Sequence, residues 1–411
     1  MLKNVRKFCF HETKVGVLSL SVDGINIYSR YNPCKEVCTF WDNNKFSYEN
    51  KNEIVIYGLG LGYHILELRK RVSEEIKIYI FDFDDELIEN IKREGILEDI
   101  EGKSTFLHIG NTYENIKLFS HILSKSKNLI IIDSLFKVLP NKHSDLKKVL
   151  INYRIKVNSL FIFKDKMEEC FKINTSKNYN SIDKFIKSNQ KSFKPIAIVA
   201  SGPSLDDKVF ELLSKNRDKI RIFCVGRSLK ALLNNGIIPD LTCVIDCQDY
   251  VYDHLCNIKE QIPLAFLSTA NSKSIECLSG EKYIFYNDRD IHGTIIQTGG
   301  SVAISTIDIA TYCNTSRIFM FGQDLAYTNG FSHSKYSLYK YDNYEVEEKS
   351  SESVLSVNGE YIQTNKVYKM FKYEIEKIIE RNKHIKFYNL SSGANIGGSK
   401  YIAISEFENN I

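Results

Sequence analysis

Between Ile196 and Ser204 the chain reads Ile-Ala-Ile-Val-Ala-Ser-Gly-Pro-Ser. Its apolar run, with Ile196, Ile198 and Val199, predicts a buried strand that stops at Gly202-Pro203-Ser204. Leu205-Asp206-Asp207 then leads into a helical pattern carried by Val209, Leu212 and Leu213. A strand that breaks at a Gly-Pro turn and feeds a helix belongs to an α/β sheet. Such a turn leaves backbone N–H groups and hydroxyls facing one spot. The first N–H groups of a helix lack internal partners and carry partial positive charge, so the spot suits a phosphate. Taken alone, the turn is more simply a strand–helix connection with Ser204 or Asp206 as N-cap.

A second stretch strengthens the ligand reading. Gln297-Thr298-Gly299-Gly300-Ser301 reads as another strand–turn–helix, because Val302, Ile304, Ile307, Ile309 and Ala310 continue as a helix with a long apolar stripe. Paired glycines let backbone approach a ligand closely, and Ser301 is a good N-cap. Arg317 to Phe321 follows as another buried strand, ending at Gly322 with Gln323 and Asp324. In open α/β sheets ligands sit beyond the carboxyl ends of the strands, where such turns gather. These three ends in one chain half predict a site for a phosphate-bearing donor.

The first half of the chain carries a unit of its own. Val15, Val17, Leu18, Leu20, Val22, Ile25 and Ile27 flank Asp23-Gly24, a hairpin signal. Ile54 to Tyr57 predicts a short buried strand before Gly58-Leu59-Gly60-Leu61-Gly62; residues 63–72 read as helix and 76–81 as the next strand, closed by Asp82 and Asp84. Strand, glycine turn, helix, strand and acid form a Rossmann-like unit, extended by strands at 104–108 and 129–132. The glycines follow G-x-G-x-G rather than the dinucleotide spacing. Gly58, Gly60, Gly62 and Asp82 therefore fit either a turn for S-adenosylmethionine or a nucleotide, or a purely structural turn.

Residues 146–187 read as a long linking helix and a polar connector, which divides the chain into domains 1–185 and 186–411. Strands are expected at 196–200, 221–225, 241–245, 264–267, 283–286 and 317–321, mostly separated by helices as parallel crossovers require. Residues 336–353 read as a loop over the site. A hairpin over 354–364 with Asn358-Gly359, a helix over 367–381 and a strand over 385–390 complete the chain.

Composition excludes several classes. The 55 basic and 51 acidic residues leave a net charge of +4, which does not predict a nucleic-acid surface. The 10 cysteines contain no Cys-x-x-Cys, and the x3 pairs Cys34/Cys38 and Cys243/Cys247 lack histidines at zinc-finger spacing, so reduced thiols and no metal site are expected. The first residues show no signal peptide, and no run is long and apolar enough for a membrane helix. The expectation is a cytoplasmic protein with no membrane insertion.

Ala200-Ser201-Gly202-Pro203-Ser204-Leu205, Thr298-Gly299-Gly300-Ser301-Val302 and Phe321-Gly322-Gln323-Asp324-Leu325-Ala326-Tyr327-Thr328, with His333 after them, resemble the motility accessory factor (Maf-type) flagellin glycosyltransferases. The resemblance includes Tyr28-Ser29-Arg30-Tyr31-Asn32-Pro33, Gly58 to His64 and Gly393 to Gly398. The same blocks are similar, more distantly, to bacterial CMP-sialic acid sialyltransferases. The implied fold is α/β, an N-terminal Rossmann-like domain followed by a sialyltransferase-like (GT-A variant) parallel-sheet domain. The implied reaction moves a nonulosonic acid from a CMP-activated donor to Ser or Thr hydroxyls of a protein, flagellin in the family, by inverting single displacement. The donor nucleotide would meet Ser201, Gly202, Pro203, Ser204, Arg227, Asp246, Gln248, Thr298, Gly299, Gly300, Ser301, Gln323 and Tyr327.

His333 is the expected general base, because imidazole titrates near neutral pH, with Asp324 beside it. Asp249, Tyr336 and Tyr339 are further polar candidates. The sialyltransferases carry Asn before Gly-Pro-Ser, where this chain has Ser201. Two other readings stand beside this one. The Gly-Pro-Ser-Leu domain is similar to that of 6-hydroxymethyl-dihydropterin pyrophosphokinases, which move diphosphate from ATP and would want clustered carboxylates such as Asp206/Asp207 with Asp246/Asp249 for magnesium. The other is a non-catalytic flagellin-binding protein.

Overall fold

Strands with apolar side chains on both faces must be covered twice, and this chain builds two parallel sheets that are covered in that way. The computed structural model describes residues 6–94, 100, 102, 104–125, 129–287, 293–337 and 352–411. Contacts divide the chain into two units, Met1–Val157 and Asn158–Ile411.

The first unit opens with β1 (Phe8–Glu12), β2 (Leu18–Val22) and β3 (Ile25–Asn26) in an antiparallel sheet. Asp23 (φ 50°) and Gly24 (φ 80°) make the expected hairpin turn. Next come β4 (Glu53–Tyr57), β5 (Lys77–Asp82), β6 (Thr105–Ile109) and β7 (Leu129–Ile131), all parallel in the order β6-β5-β4-β7. Alternate residues serve two cores. Ile54, Ile56, Ile78 and Ile80 pack on one face, while Val55, Tyr57 and Phe81 pack on the other. The Rossmann-like expectation holds. Among the described strands of this unit, β1 had no counterpart in the pattern, since Phe8 to His11 are only half-buried and Glu12 is exposed.

The second unit starts earlier than the sequence boundary at 185/186. The end of the stretch read as linking helix and connector forms β8 (Asn180–Ser181) and enters the helix Ile182–Asn189, whose N-cap Ser181 accepts from Asp183 N–H. That helix buries Ile182, Phe185 and Ile186, and β8 pairs with a strand of the main sheet. The sheet continues with β9 (Ile196–Val199), β10 (Arg221–Val225), β11 (Leu241–Val244), β12 (Leu264–Leu267), β13 (Lys282–Phe285) and β14 (Arg317–Phe321). The hairpin β15 (Glu352–Leu355) and β16 (Tyr361–Thr364) stands apart, and β17 (Lys386–Asn389) and β18 (Lys400–Tyr401) close the sheet.

Its nine strands are parallel in the order β18-β17-β14-β9-β10-β11-β12-β13-β8. From β9 the chain steps one way through β10 to β13 and then returns to place β14 on the other side. The strand order thus reverses at β9, and the carboxyl ends of β9 and β14 frame a crevice where such sheets bind ligands. The helix Val302–Thr311 packs across β9, β10 and β11 and carries its N-terminus back to that crevice. Among the described residues no helix is long and apolar enough to cross a membrane.

Candidate active site

The crevice is built from close backbone contacts that only glycine permits. Ala200 N–H donates to Phe321 O at 2.9 Å and Gly202 N–H to Gly322 O at 2.8 Å, zipping the two strand ends together. A side chain at Gly202 would run into the Asp324 carboxylate and Gly322 O. Gly322 has φ +63°, and a Cβ there would lie 2.7 Å from Ala200 O. The chain then turns sharply, with Leu325 in the left-handed region at φ 52°, a costly conformation for a branched side chain that the neighbouring contacts hold in place.

Asp324 locks this arrangement. Its Oδ2 accepts from Ser204 Oγ at 2.8 Å and Ser204 N–H at 3.2 Å, and its Oδ1 from Thr328 Oγ1 at 3.2 Å. Burial nonetheless pushes its pKa up to about 6, against those donors. Ser334 ties the following segment over the same turn, with its N–H on Ser201 O at 2.9 Å and its hydroxyl on Leu205 O at 2.7 Å. This places His333 on the cleft wall, where its Nδ1 meets Ser332 Oγ at 3.0 Å.

The cleft holds about 290 Å³. Two helices open into it without a side-chain cap: Gly226–Asn234, whose N-cap position is Val225, and Val302–Thr311, whose N-cap position is Ser301. Their first N–H groups and the Arg227 side chain give the wall positive character that suits an anion. Asp246, beyond β11, is raised in pKa by burial, while a hydrogen bond from Tyr250 and the charge of Arg227 act against the shift. Gln323 is 5% exposed, and its Oε1 has no hydrogen-bond partner among the described residues. A buried amide oxygen left unpaired costs about 1–3 kcal/mol, which makes Gln323 a candidate ligand contact.

Of the residues expected from the sequence, Ser201, Gly202, Arg227, Asp246, Gly300, Ser301, Gln323, Asp324 and His333 line this one cleft. Others serve its frame. Ser204 is engaged with Asp324, Gly299 packs on Ile304 and Glu374, and Thr298 Oγ1 accepts from Asn287. Pro203 and Gln248 lie off the walls, and Tyr327 Oη accepts from Asn365 at 2.9 Å. Asp249 accepts from Asn271, and Tyr336 donates to Asp207, both away from the cleft. Tyr339 and most of the expected loop over 336–353 lie outside the described residues. The Thr298–Ser301 turn follows residues 293–297, which form no strand of the sheet and pair with it through the isolated Tyr286–Ile295 bridge, so crossover of its helix, not strand adjacency, brings it to the site.

Sequence reasoning missed Tyr250, His254, Tyr368 and Phe371, which also line the cleft. Tyr368 and Phe371 stand one turn apart on Lys366–Arg381, a helix whose buried residues are Met370, Ile375, Ile378 and Ile379. Two aromatics off the buried stripe were the available signal. Among the described residues no group of three or more His, Cys, Asp or Glu is arranged to hold a metal, and all ten cysteines are free thiols.

In the first unit the Gly58–Gly62 turn lies beyond β4, beside β7. Leu59 N–H donates to Asp82 Oδ2 at 2.9 Å and Leu61 N–H to Tyr28 Oη at 3.1 Å.

The family model described as 6-hydroxymethylpterin diphosphokinase MptE-like matches residues 169–330, the segment that contains most of the cleft. No curated protein matches the sequence. Among solved structures, the Maf glycosyltransferase from Magnetospirillum magneticum AMB-1 is similar at 16% identity and a TM-score of 0.51, over 97% of this chain and 70% of that one. A spermidine synthase from Thermotoga maritima is similar at 16% identity over 33% of this chain and 48% of that one, with a TM-score of 0.25, too slight a likeness to argue from. Residues 169–330 thus match the MptE-like family model, in a chain whose fold is similar to that of a Maf glycosyltransferase.

Proposed function

We propose that this protein is a glycosyltransferase that moves a nonulosonic acid from a CMP donor to a Ser or Thr hydroxyl of an acceptor protein such as flagellin. One observation carries the reading: two uncapped helix starts and Arg227 share a cleft with His333. Transfer breaks the bond between the anomeric carbon and the phosphate oxygen, and the electron pair leaves with CMP. The N–H groups at Gly226 and Val302 and the Arg227 guanidinium stabilise the phosphate charge as it develops, without having to reorganise. The acceptor oxygen attacks from the opposite face, and His333 takes its proton through Nε2 while Ser332 holds Nδ1. Gln323 supplies an amide to the base or to an acylamino group of the sugar.

The family match also favours a second reading, transfer of diphosphate from ATP to a pterin alcohol. Magnesium chemistry of that kind wants convergent carboxylates. Asp207 is instead paired with Lys335 at 3.0 Å and Asp249 with Lys166 at 3.3 Å, off the cleft, which leaves Asp246 and Asp324 there. Thermal unfolding with CMP, a CMP-sugar and Mg-ATP separates the two. The glycosyltransferase reading expects stabilisation by the cytidine ligands, about 2.7 kcal/mol at a hundredfold excess over Kd. Stabilisation by Mg-ATP alone, with none by CMP, would overturn it.

A further inference from the structure

The first unit has the architecture of a cofactor-binding module, with strand order β6-β5-β4-β7 and a glycine turn after β4 at the point where that order reverses. In such modules the glycines exist so that a ligand can approach the backbone, the loop N–H groups meet its phosphates, and the acid after the second strand holds a ribose. Here the space beside each glycine, four of the loop N–H groups and the acid are taken by the protein's own atoms.

Gly58, Gly60 and Gly62 all have positive φ (111°, 50° and 77°), and side chains occupy the space beside each. A Cβ on Gly58 would lie 2.8 Å from Leu135 Cδ1, one on Gly60 would lie 2.5 Å from Tyr28 Oη, and one on Gly62 would run into Ile100. Four of the turn's N–H donors are engaged as well. Gly58 N–H bonds Phe81 O at 2.8 Å, Leu59 N–H bonds Asp82 Oδ2 at 2.9 Å, Leu61 N–H bonds Tyr28 Oη at 3.1 Å and Gly62 N–H bonds Leu59 O at 3.0 Å. Asp82 has its other oxygen on Asp84 N–H at 3.1 Å and is 2% exposed. Tyr28 is 1% exposed, with its ring against Tyr63 and His64 at centroid distances of 5.1 and 5.6 Å.

We propose that the crevice of the first unit is filled from within, by Tyr28, Leu135 and Ile100, so that this Rossmann-like module binds neither a dinucleotide nor S-adenosylmethionine. Tyr28, just past β3, stands where the ligand would be and closes the glycine turn as a structural joint. A Rossmann turn that serves packing keeps its glycines for the same steric reason as one that serves a ligand: something else must lie against the backbone.

Hydrogen exchange of the full chain, read at residues 58–63, tests this directly. With millimolar NAD or S-adenosylmethionine the exchange of these amides stays unchanged. Tyr28→Phe, which keeps the ring but removes the acceptor of Leu61 N–H, speeds exchange at Leu61 with little change at Ile54 to Tyr57. Tyr28→Ala opens the joint and speeds exchange through the whole turn. Saturable protection of residues 58–63 by either cofactor would overturn the proposal, and so would a Tyr28→Phe chain whose Leu61 exchanges at the natural rate.

Discussion

His333 and Gln323 test the site at the scale of single residues, because they are expected to fail in different ways. His333→Ala leaves CMP affinity within about twofold and lowers transfer by roughly 10²–10⁴, the usual contribution of a positioned acid–base group. Single-turnover transfer against CMP titration separates the two effects, and near-normal turnover would remove His333 from the mechanism. Gln323→Met replaces an amide whose oxygen is buried and unpaired among the described residues by an apolar side chain of similar length. The free protein should be as stable as the natural chain or up to about 1 kcal/mol more so, while nucleotide or donor binding weakens about tenfold. Urea unfolding and calorimetric titration measure the two quantities. A variant that loses stability but not affinity would show that Gln323 belongs to the frame and not to the ligand.

At the scale of elements, the helix Val302–Thr311 matters most, because it alone brings Gly300 and Ser301 to the ends of β9 and β14. Asp308 anchors it. The carboxylate is 2% exposed, accepts from Gln297 N–H at 2.7 Å and lies 3.6 Å from Arg381. Burial outweighs these partners and pushes its pKa from 3.8 to about 6. The folded state therefore holds the proton more tightly than the unfolded chain does. Its stabilising contribution is complete below pH 3.8 and is lost as the pH rises through 6. Asp308→Asn has no such titration, so its stability relative to the natural chain should improve by about 1–3 kcal/mol between pH 4.5 and pH 8. Denaturant midpoints at the two pH values check this, and parallel pH profiles would contradict it.

The cleft of the second unit draws its lining from Ala200 to Phe371, and that unit's core cluster is built from residues 182–407. The first unit closes its own cores with residues 20–150. Residues 164–411 alone should therefore fold with native far-UV circular dichroism and bind CMP within about threefold of the full chain. An unfolded fragment, or one that has lost CMP binding, would show that the second unit depends on the first. The domain division had to come from structure. The stretch after residue 181 carries only Ile182, Phe185 and Ile186 as apolar signal, and its membership is decided by pairing of β8 with β13.

The local sequence by itself determined the strands of both parallel sheets apart from the two-residue edge strands β8 and β18, because a parallel strand buried on two faces reads as an apolar run, and it determined the turns, because Gly202, Gly322 and the Gly58–Gly62 series stand where side chains cannot fit. It also marked nine of the lining residues, through the glycines and polar groups at strand ends together with the family resemblance that those blocks carry. The tertiary structure alone decided which turns converge. Strand order puts β14 beside β9 although their sequence positions are far apart, and a crossing helix brings in the Gly300 turn from beyond β13. It also decided what each turn faces. The same glycine chemistry opens onto a cleft in the second unit and onto Tyr28 in the first, because the neighbours that fill or spare the space beside a glycine come from distant parts of the chain.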